Sequence, residues 1–273
     1  NDGDLDLATT FPGLVALFAN DGHGAFHVAS MIDAPEVTSL AAADYDNDGL
    51  VDLYACRYLN PYENQAVPQP YHDANNGLEN IMLRNRGELQ FEDVTGEVGL
   101  DQNNKRFSFA ASFEDYDNDG DQDLYVANDY GRNNLFRNDN GSFTDVAASA
   151  GVEDISAGMA VSWGDYDNDG HIDLYVSNMY SSAGQRITYQ RNFMAEASED
   201  TRRQMQRHAG GNTLFKNMGD GTFQDVSQTS NTNMGRWAWG SIFFDYNNDS
   251  QLDIFVPNGF TTNDNDDVDG DDL

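Results

Sequence analysis

Four segments of this chain repeat a nine-residue pattern of oxygen-bearing side chains: DYDNDGLVD from Asp44, DYDNDGDQD from Asp115, DYDNDGHID from Asp165 and DYNNDSQLD from Asp245. Positions 1, 3, 5 and 9 are Asp44, Asp46, Asp48 and Asp52 in the first copy and Asp115, Asp117, Asp119 and Asp123 in the second. They are Asp165, Asp167, Asp169 and Asp173 in the third, and Asp245, Asn247, Asp249 and Asp253 in the fourth. Gly at position 6 in three copies permits a sharp turn that aims the carbonyl of position 7 inward, a place held by Leu50, Asp121, His171 and Gln251. Such a set suits Ca2+, which takes about 6 to 8 hard oxygen ligands in a flexible sphere. The opening NDGDLD superposes on the last six positions of the pattern, which puts Asp2 and Asp6 at positions 5 and 9 of a fifth loop. The expectation is about four to five calcium ions.

Electrostatics point the same way. Two carboxylates about 4 Å apart repel by roughly 4 kcal/mol at an effective dielectric near 20, and each of the first three loops gathers four, so without a cation they should open. The ligand set holds no thiolate, and His171 is needed only for its carbonyl, which disfavours zinc and copper. Mg2+ fits less well because it prefers to keep its waters. An EF-hand would require a bidentate Glu at position 12, where this chain has Ala55, Val126, Val176 and Val256.

These loops need elements to hold them. After each comes a β-branched and aromatic run (LYACRY, LYVAN, LYVSN, IFVPN), and before two of them apolar residues alternate, Phe109, Ala111, Phe113 and Met159, Val161, Trp163. Each loop therefore joins two strands. A second module follows every loop but the last: LFANDGHGAFHV, MLRNRGELQFEDV, LFRNDNGSFTDV and LFKNMGDGTFQDV, hairpins by their Asn, Asp and Gly clusters. One unit is thus a four-stranded antiparallel sheet, and the fold class is an all-β propeller with five whole or partial blades at about 1–36, 37–105, 106–156, 157–234 and 235–273. A propeller hides its edges by closing a ring, so the chain is expected to be a piece of a parent with six to eight blades.

Composition narrows the partners. Asp plus Glu number 47 against 14 Lys plus Arg, for a formal charge of -33, yet aromatic residues make up 12%, which argues against disorder. So acidic a chain repels nucleic acid and anionic membrane, and no apolar run nears the roughly 20 residues that span a bilayer. No basic, apolar leader opens the chain. Cys56 is the single cysteine, which excludes an intrachain disulfide and is read as a buried inert thiol. There is no G-x-S-x-G, H-E-x-x-H or phosphate-cradling glycine loop, and His23, His27, His72, His171 and His208 are scattered.

DYDNDGxxDLYV followed by NxLFxNxGDGTFxDV resembles the FG-GAP or VCBS repeat, the blade of integrin α-subunit propellers and of many secreted bacterial proteins. Between Ala157 and Gly259, SWGDYDNDG, SSAGQRITYQ and GRWAWGSIFFDYNND are more narrowly similar to bacterial relatives of the cartilage acidic protein family, which often end in an ASPIC/UnbV domain. The resemblance implies calcium on the Asp positions named above and an extracellular, cell-surface or periplasmic setting. It also implies a protein or carbohydrate ligand. The Asp245 loop departs from the pattern through Asn247 and Ser250, so its site is expected to be the weakest.

Two insertions, 57–78 and 179–211, interrupt the blade rhythm between second and third strands, where long loops often carry function. The first, with Tyr58, Pro61, Tyr62, Pro68, Pro70 and Tyr71, suggests either a carbohydrate-stacking surface or a packed lid. The second predicts a helix over about 198–208 and holds five of the 14 basic residues, which either dock an acidic partner or pair with acidic neighbours. Trp163, Trp237 and Trp239 are assigned to blade packing. The acidic end from Asn263 is read as solvated or partner-binding, with a further metal site held open. Three functions compete: a secreted binding or adhesion module with structural calcium, a calcium-dependent polysaccharide lyase, and a structural subunit of an extracellular assembly.

Overall fold

A computed structural model describes residues 3–61 and 67–259. Asp2, Tyr62 and the acidic terminal segment lie outside the described residues.

The alternating and continuous apolar runs fold as expected into antiparallel sheets. Blade one has three strands, β1 (Leu7–Phe11), β2 (Leu14–Asn20) and β3 (Phe26–Asp33). Blade two has β4 (Val37–Ala43), β5 (Asp52–Arg57), β6 (Ile81–Asn85) and β7 (Phe91–Asp93). Blade three has β8 (Phe107–Glu114), β9 (Asp123–Asp129), β10 (Asn134–Asp139) and β11 (Ser142–Asp145), followed by a short helix α1 (Ala147–Ala150). Blade four has β12 (Gly158–Gly164), β13 (Asp173–Asn178), β14 (Thr213–Asn217) and β15 (Phe223–Asp225). Blade five contributes β16 (Ile242–Phe244) and β17 (Asp253–Phe255). The leading strands β4, β8, β12 and β16 pack side by side in chain order, as the inner strands of a propeller do.

Successive blades stack face to face, which is why each second strand reads as an unbroken apolar run: all seven residues of β9 are buried. Its period-2 alternation splits them between two cores. Leu124 and Val126 pack with Tyr54, Cys56 and Met82 of blade two, while Tyr125 and Ala127 pack with Leu174, Val176 and Phe215 of blade four. Cys56 is fully buried, and burial pushes its thiol up to about 12.

Both insertions leave from the end of a second strand and return at the third. An asparagine just before the third strand clamps each gap, whatever its length. Asn80 Oδ1 accepts the Arg57 amide (2.9 Å) from 23 residues away, Asn133 Oδ1 that of Asn128 (2.8 Å) across 5, and Asn212 Oδ1 that of Asn178 (2.8 Å) across 34. The second insertion holds α2 (Ser182–Thr188) and α3 (Glu199–His208). Ser198 Oγ caps α3 by accepting from the Thr201 amide at 3.0 Å, with Glu199 and Asp200 in the first turn and Arg207 and His208 in the last. Among the described residues no helix is long and apolar enough to cross a membrane.

Two tryptophans are not core. Trp237 and Trp239 are 40% and 44% exposed, in a stretch joined by the isolated bridges Met179 to Trp237 and Ala238 to Asn258, although the Trp239 ring lies 6.1 Å from that of Phe109. Trp163 does pack, against Phe223 and Tyr125.

Candidate metal centres

Each Asp-rich segment forms the tight loop between a blade's first and second strands, and one set of hydrogen bonds recurs in all four. The position-1 carboxylate caps the turn. Asp44 accepts from Asp48 N (3.0 Å) and Gly49 N (2.8 Å), as Asp115, Asp165 and Asp245 accept from their own fifth and sixth residues. The position-5 carboxylate accepts the position-7 amide, Leu50, Asp121, His171 or Gln251. Such Asx-type turns let the loop form from its own residues. Position 4 is Asn in every copy, and Asn47, Asn118, Asn168 and Asn248 all have φ between 56° and 60°. That left-handed conformation favours Asn among side-chain-bearing residues, a signal present in the sequence that ligand counting passes over. Position 6 is also left-handed, at φ 87°, 96° and 87° for Gly49, Gly120 and Gly170, but 67° for Ser250, whose Cβ makes the turn strained.

The position-9 carboxylate sits deepest and ties the loop to the third strand. Asp52, Asp123 and Asp173 are fully buried. Each accepts from the position-2 amide, Tyr45, Tyr116 or Tyr166 (3.2 to 3.3 Å), and from the third strand, Asn85 N (2.7 Å), Asn138 N (2.7 Å) or Asn217 N (2.8 Å). Asp6 repeats half of this by accepting from Asn20 N at 3.0 Å. Burial, helped by the neighbouring position-3 and position-5 charges, pushes Asp52 up to about 6, Asp123 to about 8 and Asp173 to about 6.

Position 3 is the exception in the first and third loops, where no backbone amide serves Asp46 or Asp167, whereas Asp117 accepts from the Asp119 amide. Asp46 faces Arg84 (Nε to Oδ2, 3.2 Å), and its Oδ1 is buried without a hydrogen-bond partner. Asp167 pairs with Lys216, which also reaches Asp169 at 3.0 Å. Arg137, the corresponding residue in blade three, turns instead to Asp139 at 2.9 Å. These bases share one place, immediately before the third-strand asparagine in LRN, FRN and FKN.

Carboxylate oxygens converge within 4.8 Å in three loops, as Asp44, Asp46 and Asp48, as Asp115, Asp117 and Asp123, and as Asp165, Asp167 and Asp173. The Asp245 loop is not among them. Asn247 there donates to Asp249 Oδ2 (3.0 Å) and accepts its amide (2.9 Å), so the side-chain amide satisfies the neighbouring carboxylate locally. Donor chemistry and the orphaned Asp46 oxygen both fit a hard cation in the first three loops.

On the opposite ends of the strands the two insertions meet as a cap. Tyr71 stands edge-on to Tyr130 (5.1 Å between centroids) and to His208 (5.4 Å). Asp73 pairs with Arg106 and Arg132, both at 2.9 Å, and these bonds outweigh burial to hold its carboxyl below the usual range. Tyr58 points inward, donating to the buried Asp129 at 2.9 Å, while Tyr71 is 50% exposed. Burial pushes His208 down to about 4, which leaves it neutral. Arg207 bonds Asp154 at 2.9 Å and Asp225 at 3.2 Å, and Arg203 pairs with Asp200, so part of the basic segment is balanced by its own acidic neighbours.

Residues 1–55, 115–176 and 205–256 match the family profile described as the FG-GAP-like repeat. No curated protein matches the chain. Among solved structures, an Agrocybe aegerita lectin, described by its recognition of non-reducing terminal N-acetylglucosamine, is similar at 15% identity and a TM-score of 0.33, over 92% of this chain and 70% of that one.

Proposed function

Because this chain belongs to the FG-GAP-like repeat family, we propose that it is a calcium-stabilised β-propeller module that works outside the cytoplasm by binding a protein or carbohydrate ligand. The observation that carries the calcium reading is the position-3 carboxylate. It lies within 4.8 Å of two others in three separate loops, has no backbone donor in Asp46 and Asp167, and in Asp46 buries an oxygen without a partner. The residues that would hold the ion are Asp44, Asp46, Asp48 and Asp52 with the Leu50 carbonyl, and their counterparts from Asp115 and Asp165. A bound calcium ion would add to the positive charge that Arg84 and Lys216 supply only in part. The protein's own groups do the rest: the position-1 and position-5 carboxylates shape the turn, and the position-9 carboxylate fastens it to the third strand.

Loops of this open kind suit the millimolar calcium found outside cells, which supports an extracellular, cell-surface or periplasmic setting. The ligand surface we assign to the cap built by the two insertions, where Tyr71 is half-exposed. The narrower kinship with bacterial relatives of the cartilage acidic protein family rests on SWGDYDNDG and GRWAWGSIFFDYNND.

Melting with and without EDTA tests the calcium reading, since a ligand that binds only the native state must stabilise it. An unchanged melting temperature would end it. A glycan array and a turnover assay on acidic polysaccharides, each with and without chelator, test the rest. Uronate release would replace the binding module with a lyase.

A further inference from the structure

The position-2 tyrosines of the Asp44 and Asp115 loops belong to their own blade through the backbone amide and reach the next blade through the carbonyl and the ring. Tyr45 N donates to Asp52 of blade two, but its carbonyl accepts from Asn138 Nδ2 of blade three at 2.8 Å, and its ring lies 5.7 Å from that of Phe143 in β11. Tyr116 repeats the arrangement one blade on, with its carbonyl accepting from Asn217 Nδ2 at 2.8 Å and its ring 5.6 Å from Phe223 in β15.

The same asparagines hold the next loop. Asn138 N donates to Asp123 and Asn217 N to Asp173. A continuous path therefore runs from Asp52 through Tyr45, Asn138, Asp123, Tyr116 and Asn217 to Asp173, and every residue on it is buried. Resting on the calcium reading above, we propose that Asn138 and Asn217 couple neighbouring metal loops, so that filling one loop raises the affinity of the next.

The physical basis is the cost of an unpaired buried amide. When the Asp44 loop opens, the Tyr45 peptide shifts and the Asn138 amide loses one of its two acceptors inside a dry interface, keeping only Gln122 O. When that loop is closed, Asn138 is fixed, and its backbone amide is already aimed at Asp123. Two-site coupling of this sort typically amounts to about fivefold or more in affinity. Asn85 is the internal control. Its Nδ2 bonds Val51 O of its own blade at 3.0 Å, just as that of Asn138 bonds Gln122 O at 3.1 Å, so its loss reports on packing within one blade.

The experiment is a calorimetric calcium titration of the whole chain in a double-mutant cycle. Disabling the Asp44 loop with Asp46→Asn and Asp48→Asn should weaken the remaining sites about fivefold when Asn138 is present, and leave them unchanged in an Asn138→Leu background. Asn85→Leu should lower the melting temperature while the fivefold effect persists. An equal effect of loop removal with and without Asn138 overturns the coupling, as does loss of coupling in Asn85→Leu. A flat wild-type titration would overturn the calcium reading itself, a different failure from calcium binding at independent sites. If Asn138→Leu does not fold, Asn217→Leu is the second variant, read through removal of the Asp115 loop.

Discussion

At the scale of single residues, the four loops share a formula but differ in how each balances its charge. Lys216 competes for the carboxylates of the Asp165 loop, and exposed ion pairs of this kind are weak. Lys216→Met should therefore tighten calcium there by up to about fivefold, read in a calcium titration; weaker binding would show that the lysine assists the site. Ser250 carries a side chain at φ 67°, where the other loops have glycine. Ser250→Gly should stabilise the chain by about 1 kcal/mol, measured by chemical denaturation, because it removes a Cβ from a left-handed turn. Position-9 carboxylates set the pH response. Their folded values, about 6, 8 and 6, stand above the unfolded value near 3.9. Their contribution is thus fully present below about pH 4 and lost as pH rises through 6 to 8. In EDTA the protein should melt higher at pH 5 than at pH 8, and saturating calcium should flatten or reverse that order, since metal binding needs deprotonated ligands.

At the scale of elements, the helix α3 is held by charge rather than by an apolar face. None of its residues is fully buried, and Arg207 reaches Asp154, a carboxylate with no exposed surface that also accepts from Asn178 and Thr213 at 2.8 Å. Arg207→Ala should cost about 3–5 kcal/mol, because it leaves a buried carboxylate unpaired. Asp154→Asn in the same chain should recover part of the loss; chemical denaturation of the single and double variants checks both. The helix was legible in the sequence from its cap and charge order. Its anchor was not, because Asp154 lies 53 residues away in the connection between blades three and four.

At the scale of the whole molecule, blades touch mainly their neighbours, so stability is shared along the chain through the interfaces between blades. Calcium at a hundredfold excess over Kd should add about 2.7 kcal/mol per site, or about 5–10 °C in melting temperature for a domain of this size. Scanning calorimetry with calcium and with EDTA checks it. With a formal charge of -33, the calcium-free protein should also gain from added salt, and the loaded protein less so.

What the sequence determined by itself is whatever repeats: the loops, their clustered carboxylates, the strands around them and the propeller built from both. Periodicity exposes these because each blade solves the same local problem with the same residues. The pattern also flagged the Asp245 loop, and Asn247 bonded to Asp249 is the physical form of that departure. Tertiary structure alone decided what depends on neighbours. Tyr58 faces inward while Tyr71 is half-exposed, and Trp237 and Trp239 lie partly exposed where Trp163 packs. Asn138 reads as a hairpin residue until its amide is seen on a carbonyl 93 positions earlier in the chain. Contacts between blades join residues that share no local pattern, so they exist only once the blades have stacked.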